Sequence, residues 1–182
     1  GESFNNQLLA VPGMTPERWQ VEREVDPDLS DLGRMQATHL SRILSREIAD
    51  PELIEALPIG MLAVSPQRRA LQTIAQTAQR LGLRPQIWTD CFEVGGLYHS
   101  QGTTNGDHGI TRSELQMRFP NFDIPDDVTE DGWYHLQRRE SQVEVLARVQ
   151  GTVARLRQLA RQPDRPEGAL VLLSHHDQLN LL

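Results

Sequence analysis

The sequence contains no lysine: all 18 residues counted as lysine or arginine are arginines. Without lysine the chain cannot form a Schiff base, and it cannot contain the phosphate-binding loop GxxxxGK[ST]. Arginine can still bind phosphate or carboxylate through its planar pair of N–H donors. Nucleotide bias in a genome is the simpler cause of the arginine preference, but local recognition of an anion remains open to this chain.

Cysteine and long apolar runs are also scarce. The single cysteine, Cys91, excludes an internal disulfide and a multi-cysteine zinc site. The longest uncharged apolar runs, such as residues 169–173, fall far short of the roughly 18 residues that a membrane span requires. The net charge of -7 argues against the broad basic face of nucleic-acid-binding proteins. We therefore expect a cytoplasmic protein that binds neither membranes nor nucleic acids, with its oligomeric state undetermined.

The 182 residues fit one ordinary domain, and turn residues divide them into segments. We expect strands at 59–64, 84–88 and 169–174, and helices after Ser30, at 70–81, at 113–118 and at 141–159. Strands that alternate with helices favour an α/β fold. The sequence thus predicts a three-layer sandwich with a mostly parallel central sheet between helices, interrupted by an irregular, cap-like insertion at 95–140.

Polar residues stand where strands of this sheet are expected to end. They are residues 65–69 after the first strand and residues 174–177 after the last, and residues 1–6 are expected to follow a strand that precedes Gly1. In open α/β folds, ligands bind beyond the carboxyl ends of the strands. We therefore expect these three segments to meet in one crevice.

Five short blocks of sequence narrow the function. The first is Gly-Glu-Ser-Phe-Asn-Asn at 1–6, and the most specific is Ser-Pro-Gln-Arg-Arg-Ala-Leu-Gln-Thr at 65–73. The others are Leu-Ser-x-x-Gly-x-x-Gln-Ala at 29–37, Cys-Phe-Glu-x-Gly-Gly at 91–96 and Ser-His-His at 174–176. In this order they resemble the motifs of the histidine phosphatase superfamily, which includes cofactor-dependent phosphoglycerate mutases and many broad phosphatases.

The resemblance extends over most of the chain, taken as one domain at 1–182, with a few departures. Gln67 stands where the family has leucine, and His176 stands where it has glycine. The family's first motif opens with Arg-His, a pair that would come immediately before Gly1. We therefore expect the N-terminal strand and the C-terminal end of the domain to lie outside these residues.

The resemblance implies a phosphatase that hydrolyses small-molecule phosphomonoesters through a phosphohistidine, without a metal or other cofactor. The nucleophile would be the histidine expected immediately before Gly1. Phosphoglycerate mutase-type transfer is an alternative, although the Tyr-Gly and downstream Arg-Arg pattern expected of a mutase is not seen. Because the expected nucleophile is not among these residues, a non-catalytic phosphate-binding or interaction domain is the alternative of another class.

The resemblance also implies roles for individual side chains. Arg69 would hold phosphoryl oxygens, on which negative charge develops in the transition state, and Arg68 beside it is interpreted as a surface arginine. His175 would be a second imidazole that donates to the same oxygens, and Asn6 would donate its side-chain amide to them. Glu93 would protonate the leaving alkoxide.

Other polar residues have simpler interpretations. The sequence His-His-Asp at 175–177 suggests a metal site, but adjacent histidines on an extended chain point in opposite directions. Ser141 is expected to cap a helix together with Glu144. The insertion supplies aromatic residues for a small satellite core or a substrate-lining lid, and cations for a charged substrate tail. These residues are Phe119, Phe122, Trp133 and Tyr134, and Arg112, Arg118, Arg138 and Arg139.

Overall fold

The computed structural model describes residues 1–47, 58–98, 107–136 and 138–182. Its sheet has three parallel strands in the order β2-β1-β3, namely β1 (Ile59–Val64), β2 (Gln86–Ile87) and β3 (Ala169–Leu173). The helices are α1 (Phe4–Leu9), α2 (Pro16–Glu22), α3 (Asp31–Leu44), α4 (Arg68–Leu81), α5 (Arg112–Arg118), α6 (Gln142–Arg161) and α7 (His176–Asn180). Within these ranges no helix is both long and apolar enough to cross a membrane. The predicted α/β fold with a parallel sheet is confirmed.

Both faces of the sheet are covered by helices, because successive residues of a strand point to opposite sides. One face packs on α4, and the opposite face packs on α6. The first cluster includes Leu62, Val64, Leu71, Ile74 and Val171. The second includes Met61, Ala63, Leu156, Leu159 and Leu170. The sheet therefore forms the middle of three layers.

The helices begin and end where capping residues occur in the sequence. Ser30 accepts a hydrogen bond from the Gly33 amide and caps α3, and Ser141 forms the predicted capping box with Glu144 at the start of α6. Gly82 ends α4 in the left-handed conformation, with a φ of 65°. Helix α4 holds residues of the most specific sequence block, so its position fixes much of the site.

The aromatic residues of the insertion belong to the main core. Phe119, Phe122, Trp133 and Tyr134 are all buried, and they share one cluster with Leu62 of β1. The expectation of a separate satellite core is therefore wrong, because these rings pack on the same apolar face of the sheet as α4. The boundaries of a cap-like insertion at 95–140 stay a prediction.

Main-chain contacts fasten the first residues of the chain to α3 and α4. The Ser30 amide donates to the Glu2 carbonyl oxygen, and the Glu2 amide donates to the side chain of Gln36. Gly33 permits this approach, since any side chain there would collide with the Glu2 main chain. The Gly1 nitrogen then lies 3.2 Å from the Thr73 hydroxyl, on α4.

Candidate active site

Arg69 and His175 meet at the carboxyl ends of two neighbouring strands. Arg69 lies in the first turn of α4, just after β1, and His175 caps α7, just after β3. Because β1 and β3 are parallel and adjacent, their ends lie at the same edge of the sheet. The Arg69 Nη2 atom is 3.0 Å from His175 Nδ1. The structure thus brings these two predicted site residues into contact.

The surroundings of His175 fix its protonation state. The residue is buried, and burial followed by the charges of Arg69 and Arg148 lowers its pKa well below its usual range. A guanidinium can only donate, so Nδ1 of the neutral ring accepts from Arg69 and Nε2 carries the proton. Nε2 lies 2.7 Å from the Ser65 hydroxyl oxygen and donates to it. In this arrangement, the N–H group of His175 that was expected to donate to a phosphoryl oxygen donates to Ser65 instead.

Ser65 and Gln67, on the turn between β1 and α4, hold the site together. Ser65 is fully buried and orients His175, a role beyond the turn-shaping one that its position suggests. Gln67 is also buried, and its Oε1 atom accepts from Arg69 Nη2 at 3.4 Å and from the Glu93 amide at 3.0 Å. One side-chain oxygen therefore links the arginine to the segment that carries the expected acid.

Glu93 lies near this cluster without touching its two principal members. Its side chain accepts a hydrogen bond from the next amide, that of Val94, at 2.9 Å. Burial lowers the pKa of Arg69, and the negative charges of Asp26 and Glu93 oppose this effect more weakly. Arginine keeps its proton under all ordinary conditions, so the site centres on a desolvated cation. Glu93 is placed near this cation, and its role as proton donor stays a prediction.

Asn6 is the predicted site residue that the structure does not join to the others. It lies in α1, is exposed, and its Oδ1 accepts from the Ser3 amide and hydroxyl in a capping box. No hydrogen bond of the described residues connects it to Arg69 or His175. Instead, the Gly1 nitrogen lies 3.2 Å from the Thr73 hydroxyl, which itself donates to the Arg69 carbonyl oxygen at 2.7 Å. The start of this segment, rather than its asparagine, approaches the pair.

Arg148 and Glu140 form a buried ion pair next to the residues that precede Glu93. Both oxygens of Glu140 accept from Arg148, each at 2.7 Å, and the side chains are only 9% and 2% exposed. Arg148 also donates to the carbonyl oxygens of Asp90 and Phe92, each at 3.0 Å. Glu140 thereby holds Arg148 against the residues that precede Glu93.

His176 turns away from the site. It is exposed, and its Nε2 atom lies 2.9 Å from the side-chain nitrogen of Asn180 on the same short helix. Over the described part of the chain, no group of three or more histidine, cysteine or acidic residues is arranged to hold a metal ion.

Asp26 is a buried acid close to Arg68 and Arg69, and the sequence did not predict it as a site residue. It is 5% exposed, its Oδ1 accepts from the Arg68 amide at 3.1 Å, and its buried Oδ2 has no partner. Burial raises the pKa of Asp26 to about 7, although the charge of Arg69 and the Arg68 hydrogen bond act in the opposite direction. No periodicity or motif marks this aspartate, because its environment is created by residues distant in sequence.

We expect Asp26→Asn to become stabilising relative to the wild type as the pH rises. Since the pKa of Asp26 is higher in the folded state than in the unfolded one, folding binds a proton between about pH 4 and 7. Wild-type stability then falls with rising pH by up to about 1.4 kcal/mol per pH unit, and the amide variant lacks this loss. Urea unfolding of both proteins at pH 4 to 8 measures the difference.

Asp28→Asn is the matched control for this experiment, because Asp28 is about half exposed and pairs with Arg118 at 3.4 Å. Its stability relative to the wild type should change little with pH over the same range. A difference between Asp26→Asn and the wild type that stays constant from pH 4 to 7 would show that the Asp26 pKa is ordinary.

Comparison with known proteins relates this chain to one protein family. The family model of the histidine phosphatase superfamily (branch 1) matches residues 13–182. The glucosyl-3-phosphoglycerate phosphatase of Mycobacterium tuberculosis is 28% identical over 162 residues, which are 86% of this chain and 62% of that protein. A probable phosphatase of Schizosaccharomyces pombe is 33% identical over 105 residues, 57% of this chain and 43% of that protein. The chain thus spans less than two thirds of these relatives.

A solved structure shows the same fold. The ecdysone phosphate phosphatase from Bombix mori, in complex with tungstate, is 17% identical and superposes with a TM-score of 0.54, covering 86% of this chain and 55% of that one. The mycobacterial glucosyl-3-phosphoglycerate phosphatase in complex with inorganic phosphate is 26% identical, with a TM-score of 0.47, covering 86% of this chain and 68% of that one.

Proposed function

This chain belongs to branch 1 of the histidine phosphatase superfamily, and from that membership we propose that it hydrolyses phosphomonoesters through a phosphohistidine. The observation that carries the proposal is the contact between Arg69 and His175 at the ends of β1 and β3, with the Gly1 nitrogen 3.2 Å from Thr73, one turn after Arg69 on α4. Both curated relatives are described as phosphatases, which agrees with it. The cytoplasmic location expected from composition stays a prediction.

In the proposed first step, the histidine immediately before Gly1 supplies the nucleophile. Its neutral imidazole attacks phosphorus, a P–N bond forms, and the bond to the leaving oxygen breaks. Glu93 gives its proton to that oxygen, so the leaving group departs as an alcohol. In the second step water attacks phosphorus, Glu93 takes up the proton of that water, and the P–N bond breaks to release phosphate.

Arg69 and His175 stabilise the charge that this reaction develops. A guanidinium held beside the sheet edge can donate two parallel hydrogen bonds to phosphoryl oxygens without having to reorganise. Burial is the main cause that lowers the pKa of His175, and the charge of Arg69 is the next; a bound dianion offsets the effect of that charge. The Nε2–H group of His175 can then donate to a phosphoryl oxygen instead of to Ser65. Alternatively, Nδ1 of His175 gains a proton and donates to that oxygen. Gln67 keeps Arg69 in register with the Glu93 segment throughout.

We expect Glu93→Gln to slow the full-length protein on alkyl phosphates by on the order of 10²-fold, and far less on 4-nitrophenyl phosphate. Glutamine cannot protonate an alkoxide, whereas a nitrophenolate leaves without a proton. Phosphate release from both substrate types, with a metal chelator present, measures the two losses. The same assay tests the proposed function, because a non-catalytic phosphate-binding domain releases no phosphate from either substrate.

Glu22→Gln is the control for Glu93→Gln, since Glu22 is an exposed glutamate that pairs with Arg18 on α2. It should leave both rates unchanged. If Glu93→Gln instead slows alkyl and aryl substrates alike, Glu93 positions substrate or stabilises the fold, and another group is the acid.

A further inference from the structure

The N-terminal end of α4 is capped by a carboxyl group that is distant in sequence. The residue before the helix, Gln67, provides no side-chain cap. Instead, Oδ1 of Asp26 accepts from the amide of Arg68, the first residue of α4, at 3.1 Å. The first amides of a helix have no partner within the helix, and they attract negative charge. Asp26 therefore fixes the start of the helix that carries Arg69.

Two hydrogen bonds just after Asp26 hold its segment against α1 and α4. The Phe4 amide donates to the Asp28 carbonyl oxygen at 3.0 Å. The Leu29 amide donates to the side chain of Gln72, which lies on α4 one turn after Arg68, at 2.7 Å. The carboxyl group of Asp26 is thus kept at the start of α4 by contacts of its own main chain with that helix.

Charged groups of two elements act on this buried carboxyl group. Burial raises the pKa of Asp26 to about 7, and the charges of Arg69 and Arg68 on α4 oppose the rise. The charge of Asp107, in the segment before α5, adds to it. The Oδ2 atom is buried without a partner, so no contact among the described residues holds Asp26 in one protonation state. Near neutral pH both forms are therefore present.

The two forms of Asp26 have different effects on Arg69. The Arg69 guanidinium contacts Gln67 and His175, and it forms no ion pair within the described ranges. Of the two acids whose charges act on Arg69, Asp26 has the larger effect. Ionised Asp26 balances part of the Arg69 charge and repels a dianion bound there, whereas the protonated form does neither. Both forms keep an oxygen that accepts from the Arg68 amide.

We propose that Asp26 is a positioning residue: it holds α4 and Arg69 in place in both of its forms, and it leaves the full charge of Arg69 to a phosphoryl group when it is protonated. This inference rests on the proposed function and adds a pH dependence to that site. Binding of a dianion beside Arg69 is then accompanied by uptake of one proton from the solvent at Asp26. The affinity for a dianion falls as the pH rises above neutral, even if the charge of the ligand stays the same.

The first test measures sulfate binding to the full-length protein by titration calorimetry at pH 6 and pH 8, because sulfate stays a dianion throughout and is not hydrolysed. Between these pH values the wild type should lose up to about tenfold more affinity than Asp26→Asn. Asparagine keeps the oxygen that accepts from the Arg68 amide and carries no charge at either pH. Titration of His175 and Glu93 is common to both proteins and cancels in the comparison. An equal change of affinity in both proteins, or no sulfate binding by the wild type, refutes the proposal.

The second test separates the hydrogen bond from the charge. Asp26→Ala removes both and should lower kcat for phosphate release at pH 6 by about tenfold, as expected for loss of one hydrogen bond. Asp26→Asn should keep a kcat close to that of the wild type at this pH. If both variants lose the same activity there, Asp26 does not position Arg69 through its oxygen. The sulfate comparison still decides the effect of the charge if Asp26→Ala fails to fold.

Asp28→Asn is the matched control, because it makes the same chemical change two residues later, at an acid that is about half exposed and pairs with Arg118. Its sulfate affinity should follow that of the wild type at both pH values, and its kcat should be unchanged. If sulfate binds with the expected difference between the wild type and Asp26→Asn but no phosphomonoester is hydrolysed, the phosphatase assignment is refuted while the role of Asp26 beside Arg69 stands.

Discussion

Arg69→Ala is expected to lower kcat for phosphate release by about 10² to 10³, whereas Arg68→Ala changes it little. A fixed donor to a developing oxyanion contributes on the order of 2.7 to 4 kcal/mol to transition-state stabilisation. Arg69 is proposed to be such a donor and lies beside His175, but the Arg68 side chain points toward Glu114, with 3.8 Å between their charged atoms. Steady-state kinetics of the two full-length variants on one phosphomonoester measure the contrast.

Arg69→Lys separates charge from geometry in the same experiment. Lysine keeps one positive charge and loses the planar pair of donors, so its activity should lie between that of the wild type and that of Arg69→Ala. Thermal unfolding of each variant checks that the losses do not come from a damaged fold. Equal losses in Arg68→Ala and Arg69→Ala would remove the basis for assigning Arg69 to the phosphate.

Arg148→Ala is expected to lower the free energy of unfolding by about 3 to 5 kcal/mol. The substitution leaves Glu140 buried without its partner, and an uncompensated buried charge costs far more than the pair itself contributes. The carbonyl oxygens of Asp90 and Phe92 lose a donor as well. Urea denaturation monitored by circular dichroism measures the change.

Two further variants make this result interpretable. Arg18→Ala breaks the exposed pair with Glu22 and should cost less than about 1 kcal/mol. The double variant Arg148→Met/Glu140→Leu removes both charges and should recover most of the lost stability, because well-packed apolar side chains often replace a buried pair without cost. A small loss in Arg148→Ala alone would mean that water reaches Glu140 and solvates it.

The sequence predicted the strongly patterned elements, the short helix α5 and the position of β2, and it missed α1, α2 and α7. Strand β1 was expected at the residues where it occurs, and α4 begins at Arg68, two residues earlier than expected, because Gln67 provides no side-chain cap that would mark its start. Helices α1 and α7 have six and five residues, too few for an apolar period to be visible. Helix α2 did carry a signal, since Thr15 caps it and Pro16 opens it.

The residues of the candidate site likewise fall into those with a local sequence signal and those without one. Arg69, Glu93 and His175 were located because they belong to motifs with fixed local spacing. Ser65 and Asp26 act through contacts with residues far away in the chain, and Arg23 meets Tyr98 across 75 positions. Such pairs depend on how the strands and helices are arranged in space, which one sequence does not encode in any local pattern.

The contact between Arg69 and His175 also determines when the site can assemble, because it joins residues 106 positions apart. During synthesis, a nascent chain that has exposed everything up to α6 still lacks the pair, and it forms only when β3 docks against β1. Loop-closure entropy grows slowly with length, so doubling the intervening segment would cost only about 0.6 kcal/mol. The residues between the two halves of the site can therefore gain or lose length at small cost in stability while the contact between Arg69 and His175 is retained.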